Sequence, residues 1–512
     1  MFIKPEDIVS DVTKTCDVCV IGSGSGGSVM ALEMAQAGLS VIVLEDGGYH
    51  RGADFNQREP DMFGENYIQH NARTTKDTAI TIMQGRCVGG GSAINGCDCV
   101  RIHDPVLAHW MEKYGVRDLT PEALRPFVEK AERLMKVKEI TEQEFNANNS
   151  LLKKGAQALG YRGEHFSHNR ENCRSCGYCI IGCAYDVKQA GHTVHIPQAV
   201  DLGADVYTYA RVERIVQKDG SAHSVTGIIM DRESERERAR ISVEAKVIML
   251  AANTINSPQI LLNSKIANSS GHVGKNLSLQ PQTPVVAVFD QAVTFHRGIP
   301  QAYAVTQFEE ADVKAGLGGF RIECISGSPG LVAVQLPGFG VETKQLMKEY
   351  PHFACSMVLV PDQPSGEVTV NRHGRAVITY EMTDDCRRRL MEGMKAAARV
   401  YFAAGARKVL YTYNEPVVLN DASETGIVDR LGIEPCSLGL VSSHHYGTCR
   451  MGEYPTTSVV DSYGESHDVK NLFVVDSSTH PTSSSSHNMV SVMALAHRTA
   501  DYILKNRDRY FG

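Results

Sequence analysis

The stretch Asp17–Gly48, DVCVIGSGSGGSVMALEMAQAGLSVIVLEDGG, reads as strand, tight turn, helix and strand. The apolar run Val18–Ile21 predicts a buried strand, and Gly22, Gly24 and Gly27 stand at G-x-G-x-x-G spacing where it turns into a helix. Gly22 permits the turn, Gly24 leaves bare backbone for a pyrophosphate, and Gly27 lets the helix lie close on the strand. The helix N-terminus then offers free N–H groups to the phosphates. The second strand, Val41–Leu44, ends in Glu45, 23 positions after Gly22. A carboxylate there accepts hydrogen bonds from the two ribose hydroxyls and disfavours a 2'-phosphate. With strand, helix and acid in register, the stretch predicts a dinucleotide site in an α/β, Rossmann-like domain.

Length and composition bound the rest. A chain of 512 residues exceeds what one core usually holds, so two or more domains are expected. The net charge of -7, without a block of like charges, gives no basis for nucleic-acid binding. The charged run Asp231–Arg240 predicts a solvated hairpin. The N-terminus lacks a basic start followed by an apolar core, and no run of about 18 apolar residues occurs, so a cytoplasmic protein without a transmembrane segment is expected.

Further along, Gln84–Arg101 carries three adjacent glycines, Gly89, Gly90 and Gly91, before the small Ser92 and Ala93. This composition suits backbone laid against a flat ring system. Thr120 N-caps a predicted helix to Lys136, and Thr383 another over Asp384–Ala404. Between them, Cys173, Cys176, Cys179 and Cys183 are spaced C-x2-C-x2-C-x3-C, as in bacterial ferredoxins. The fourth cysteine is followed by Ala184 rather than proline and no second run exists, so three ligands are safer than four. An iron–sulfur cluster, a zinc site and a loop knitted by packed thiols are the readings of this Cys-rich segment, 173–188. The other ten of the fourteen cysteines are scattered, as buried thiols are. From Pro281 to Leu440, runs such as TPVVAVFD and HFACSMVLV alternate apolar and polar positions, which predicts an antiparallel sheet with one buried face.

The last seventy residues hold SSHHYGTCRMG (Ser442–Gly452) and NLFVVDSSTHPTSSSSHNMVSVMALAHRTADYIL (Asn471–Leu504). With Gly85, Arg86, Gly89, Gly90, Ser92 and Asn95, these segments resemble the glucose-methanol-choline (GMC) flavoprotein oxidoreductases over nearly the whole chain. The resemblance implies FAD as cofactor and oxidation of a primary or secondary alcohol, lipophilic or a sugar, to the carbonyl. It aligns His444 and His487 with the catalytic pair, with His445 and Asn488 as their rivals. An imidazole of pKa about 6.5 can take the hydroxyl proton while hydride leaves the carbon. It also implies adenine contacts near Val212, a ribityl or phosphate contact from Asp476, and a second signature at Ser257, Pro258 and Leu261. A flavin contact follows from the start of the final helix, Asn488 and Met489, whose N–H groups suit charge developing on the ring. Some relatives attach the flavin through a histidine before the asparagine. Ile94 stands there, so noncovalent FAD is expected. Asn253 replaces a usual glycine, and VGKNLSLQP lacks a usual Asp-His pair.

The implied organisation is an FAD domain from 1–105, 190–276 and 455–512, and a substrate domain from 106–189 and 277–454. Electrons would pass to an external acceptor, a protein or a quinone. An alcohol oxidase making peroxide, a non-redox lyase on the same scaffold, and an electron-transfer role centred on the cysteine run are the alternatives.

Overall fold

The structure, a computed structural model, describes residues 1–309, 318–484 and 487–512. Two sheets organise it. The first runs in the order Phe2–Ile3, Asp205–Tyr207, Val41–Leu44, Val12–Ile21, Glu237–Leu250, Ser221–Met230, Ala210–Lys218, with Leu472–Val474 also pairing on Glu237–Leu250. The first five of these strands and Leu472–Val474 pair in parallel, and the last two add antiparallel edges. Val18, Cys19, Val20 and Val43 are fully buried, as parallel strands with helices on both faces require. The helix Ser25–Gln36 follows the glycine turn, and the charged run over 231–236 is the turn of an antiparallel hairpin.

The second sheet is antiparallel, in the order Val417–Leu419, Lys408–Tyr411, Gln282–Val288, Phe353–Leu359, Arg321–Cys324, Tyr303–Val305, Gly163–His165. The alternation predicts one buried face, and Gln282–Val288, Arg321–Cys324 and Phe353–Leu359 are buried at every position, so the second face is covered as well. Two helices, Ala147–Ala158 and Asp384–Ala404, cover one face. The other face walls a cavity, so the polar members of the alternation, Gln282 and Glu323 among them, point into a site rather than into water. The strands Glu367–Val370 and Ala376–Thr379 stand apart as a hairpin. Both expected caps form: Thr120 Oγ1 accepts from the Ala123 amide at 3.2 Å and Thr383 Oγ1 from that of Cys386 at 3.2 Å.

The helices Asp104–Tyr114 and Pro121–Leu134 pack into the first core. Their apolar faces, through Val106, Trp110, Leu124, Val128 and Ala131, join the core built around the final helix Met489–Lys505. Trp110 Nε1 also donates to Thr482 Oγ1 at 2.9 Å. Among the described residues, no helix is long and apolar enough to cross a membrane.

Candidate active site

A cavity of about 1320 Å3 lies between the two sheets, and the glycine turn forms one end of it. Gly22 holds φ +90, a conformation side chains rarely adopt, and a Cβ there would lie 2.5 Å from the Ala251 carbonyl oxygen. On Gly26 a Cβ would sit 1.6 Å from the Val475 oxygen, and on Gly27 2.0 Å from that of Gly22. These positions are bare because other backbone passes against them. Gly24 differs: nothing lies within 4 Å of its would-be Cβ, and it opens on the cavity at the N-terminus of Ser25–Gln36, which has no side-chain cap. Glu45 also lines the cavity, its carboxylate accepting from the Ser23 amide at 2.9 Å, Ser23 Oγ at 2.6 Å and the Gly47 amide at 3.0 Å. Burial raises its pKa, against the pull of these donors.

The second glycine segment lies alongside. Gly89 and Gly90 hold φ +92 and +51 and lead into one helical turn, Gly91–Ile94. Gly90, Ser92, Ile94 and Asn95 line the cavity. Asn95 Nδ2 reaches Met489 Sδ at 3.2 Å, joining this wall to the start of the final helix. Ser92 Oγ faces inward, donating to Gly89 O at 2.6 Å. Arg86 pairs with Glu235 and Asp46, yet its Nη2 is buried without a partner. Val212, Asn488 and Met489 complete the same cavity. Asp476 lines it too, with its carboxylate taken by the Asn253 amide at 3.0 Å, Ser257 Oγ at 2.5 Å and the Ser478 amide at 2.8 Å. Asn253 holds φ +78, which explains why glycine is dispensable there: asparagine tolerates that region. A long cavity with a bare Gly24, an orphaned guanidinium nitrogen and a braced ribose-height carboxylate fits a flavin dinucleotide.

At the other end stand His444 and His487, with ring centroids 4.6 Å apart and planes inclined by 75°. His444 Nδ1 lies 2.6 Å from Gln280 Oε1 and 3.3 Å from Gln282 Nε2; with the nearer amide oxygen as its partner Nδ1 is assigned the proton, and Nε2 is then the acceptor. Burial, then the neighbouring His487, then His445, drive the His444 pKa well below 6.5. For His487 burial is again the largest single influence and acts in the same direction, but the Glu323 carboxylate 2.9 Å from Nε2 and, behind it, Asp98 together outweigh it and the pKa is raised. The environments thus push two like groups apart, the arrangement that separates an acid from a base. His445 is also buried, with Nε2 3.2 Å from the Ser442 carbonyl, and burial pushes its pKa down to about 4. Glu323 and Gln282 escaped the sequence reading because they belong to no motif, and Gln280, although within VGKNLSLQP, carries no signal of its role there. The one available signal was a pair of charges two apart in an otherwise apolar strand, Arg321 and Glu323.

The cysteine run is not built in the same way. Cys173, Cys176, Cys179 and Cys183 converge, with Cys97, on a cavity of about 20 Å3, room for about one water. All are free thiols. Among the described residues no three His, Cys, Asp or Glu side chains are arranged to hold a metal ion. The loop is nonetheless tied to the cofactor wall, because the buried Lys188 donates to the carbonyls of Ala93, Asn95 and Cys179 at 2.9, 2.7 and 2.9 Å.

Comparison with known proteins agrees with this geometry. An uncharacterized GMC-type oxidoreductase of Mycobacterium tuberculosis is 31% identical over 489 residues, 95% of this chain and 75% of that one. The long-chain-alcohol oxidase FAO3 of Arabidopsis thaliana is 28% identical, over 96% of this chain and 68% of the relative. In structure, pyridoxine 4-oxidase from Mesorbium loti superposes with a TM-score of 0.72 at 18% identity, covering 96% of this chain and 99% of that one, which shows a shared fold. The GMC oxidoreductase family models match residues 17–282 and 362–496, the segments that carry the glycine turn and the histidine pair, and the protein is therefore a member of the GMC oxidoreductases, FAD-dependent flavoenzymes.

Proposed function

We propose that the protein oxidises a lipophilic primary or secondary alcohol to its carbonyl compound and passes the electrons to an external acceptor. The observation that carries this reading is the juxtaposition, in one cavity, of the His444 and His487 imidazoles and the bare glycine turn at Gly24. FAD, when bound, supplies the acceptor for the hydride lost from the alcohol carbon. Gly24 and the helix beginning at Ser25 would hold its pyrophosphate, Glu45 its ribose, Val212 its adenine, and Asn95, Asn488 and Met489 its ring system. Ile94, without a nucleophilic atom, leaves that cofactor noncovalent.

The protein's own part is proton management. His444 Nε2 takes the hydroxyl proton as hydride leaves, and Gln280 keeps that nitrogen unprotonated beforehand by accepting from Nδ1. His487 donates to the same oxygen and steadies the negative charge that grows on it. The N–H groups at the start of Met489–Lys505 favour charge on the adjacent ring. Phe295, Ile325, Leu331, Val332, Met357 and Leu359 line the cavity and supply an apolar wall, which supports a lipophilic substrate over a sugar.

Anaerobic titration with a graded series of alcohols and sugars tests the proposal. Bleaching of the flavin by aliphatic alcohols, steepening with chain length, is expected. No bleaching by any alcohol would leave the lyase reading in its place. Peroxide release in air would identify oxygen as the acceptor. An iron–sulfur cluster on Cys173, Cys176, Cys179 and Cys183 is the second reading of the electron outlet, favoured by four thiols converging beside the cofactor wall. Iron and acid-labile sulfide assays on protein purified without air decide it.

A further inference from the structure

Glu323 belongs to no site motif, yet it is fully buried and its carboxylate lies 2.9 and 3.1 Å from His487 Nε2. It sits in a row of the second sheet with Met357, directly opposite on the neighbouring strand, and Pro284 beyond it, so the backbone ladder fixes its place. Burying a carboxylate without compensation is costly, and here two partners face it. One is Arg321, on the same strand, with Nε 2.5 Å from Glu323 Oε1. That guanidinium is shared with Glu309 at 2.9 Å and Glu164 at 2.7 Å, so three carboxylates compete for one positive charge. The other partner available to Glu323 is His487.

We propose that Glu323 is a positioning residue that keeps His487 as an imidazolium facing the neutral His444, so that the alcohol oxygen meets one cationic donor and one free lone pair. This inference rests on the assignment of the histidine pair to alcohol oxidation. The groups facing His487 are Glu323 and Arg321 from their strand, Asp98 with Oδ2 3.9 Å from His487 Nδ1, and His444. Gln301 adds a neutral contact to Glu323 at 3.5 Å. Asp98 is itself paired with His168 Nε2 at 3.0 Å, so the negative charge that falls chiefly to His487 is that of Glu323, whose guanidinium partner is shared with two other carboxylates. The direction of its pKa, raised although burial alone would lower it, agrees. His487 therefore stays charged until the pH rises beyond its folded value, and an uncharged residue at 323 moves that loss to lower pH.

The test reads the ring itself and needs no turnover. Protein labelled with carbon-13 at the histidine Cε1 positions is titrated with FAD bound, and the His487 signal is found by its loss in His487→Asn. In the unaltered protein the midpoint is expected above 6.5, the ordinary value for histidine. Glu323→Gln is expected to lower it by about 1–3 pH units, the effect of one neighbouring opposite charge, and Glu323→Asp to fall between. A midpoint below 6.5 in the unaltered protein overturns the proposal, whatever the fate of the variants, and so does an unmoved midpoint in a folded Glu323→Gln. Failure of every alcohol to bleach the flavin would count against the assignment of the reaction while leaving this measurement intact.

Discussion

Two regions of this protein carry dense sequence motifs, and the fold treats them in opposite ways. Around the glycine turns it holds open a cavity of about 1320 Å3, whereas around the cysteine run it closes to about 20 Å3. The difference lies in what supports each motif. The glycine turn is braced by strands of the first sheet and by the start of a twelve-residue helix, so Gly24 faces space that no protein atom occupies. The cysteines sit in a loop with one short 3-10 turn, Cys179–Ile181, and the loop packs on its own thiols.

The sharpest way to break that comparison is at the open cavity's chemical end. His444→Ala is expected to slow flavin reduction by alcohol ~10²- to 10⁴-fold, the usual worth of a proton-transferring group, with FAD content unchanged. Rapid-mixing absorbance under anaerobic conditions measures it. A larger loss in His445→Ala than in His444→Ala would reverse the assignment of the base.

A smaller effect separates two glycines of the same turn. Gly26→Ala places a Cβ 1.6 Å from the Val475 oxygen and should lower stability by about 1–3 kcal/mol, read from the denaturant midpoint of the FAD-free protein. Gly24→Ala meets no protein atom within 4 Å, so its midpoint should stay put while FAD affinity falls about tenfold, or about 1.4 kcal/mol. Equal effects of the two on stability would show that the cradle is ordinary packing.

The smallest expected change belongs to the closed region. Cys176→Ser should leave flavin reduction by alcohol unchanged and stability within about 0.5 kcal/mol, since its side chain is only half-buried. Slower electron delivery to an external acceptor at unchanged flavin reduction would sharpen the comparison toward a relay. A loss of flavin reduction itself would tie the cysteine loop to the open cavity, through the Lys188 bonds.

The sequence by itself determined what depends on neighbours along the chain. The turn at Gly22, the strand ending in Glu45, the caps at Thr120 and Thr383 and the hairpin over 231–236 are local, and each is set by sterics or one short hydrogen bond. The histidine pair was legible only through family resemblance, because 43 positions separate His444 from His487 and no periodicity links them. Tertiary structure decided the rest. Period-two alternation says that two faces of a strand differ, not what each face meets, so the polar face of the second sheet became a cavity wall. Amphipathic spacing likewise says that Pro121–Leu134 buries a stripe, and only packing chose the final helix as its partner. The opposite pKa directions of His444 and His487 are the furthest from the sequence, since they depend on a carboxylate 164 positions away and on the loss of water around both rings.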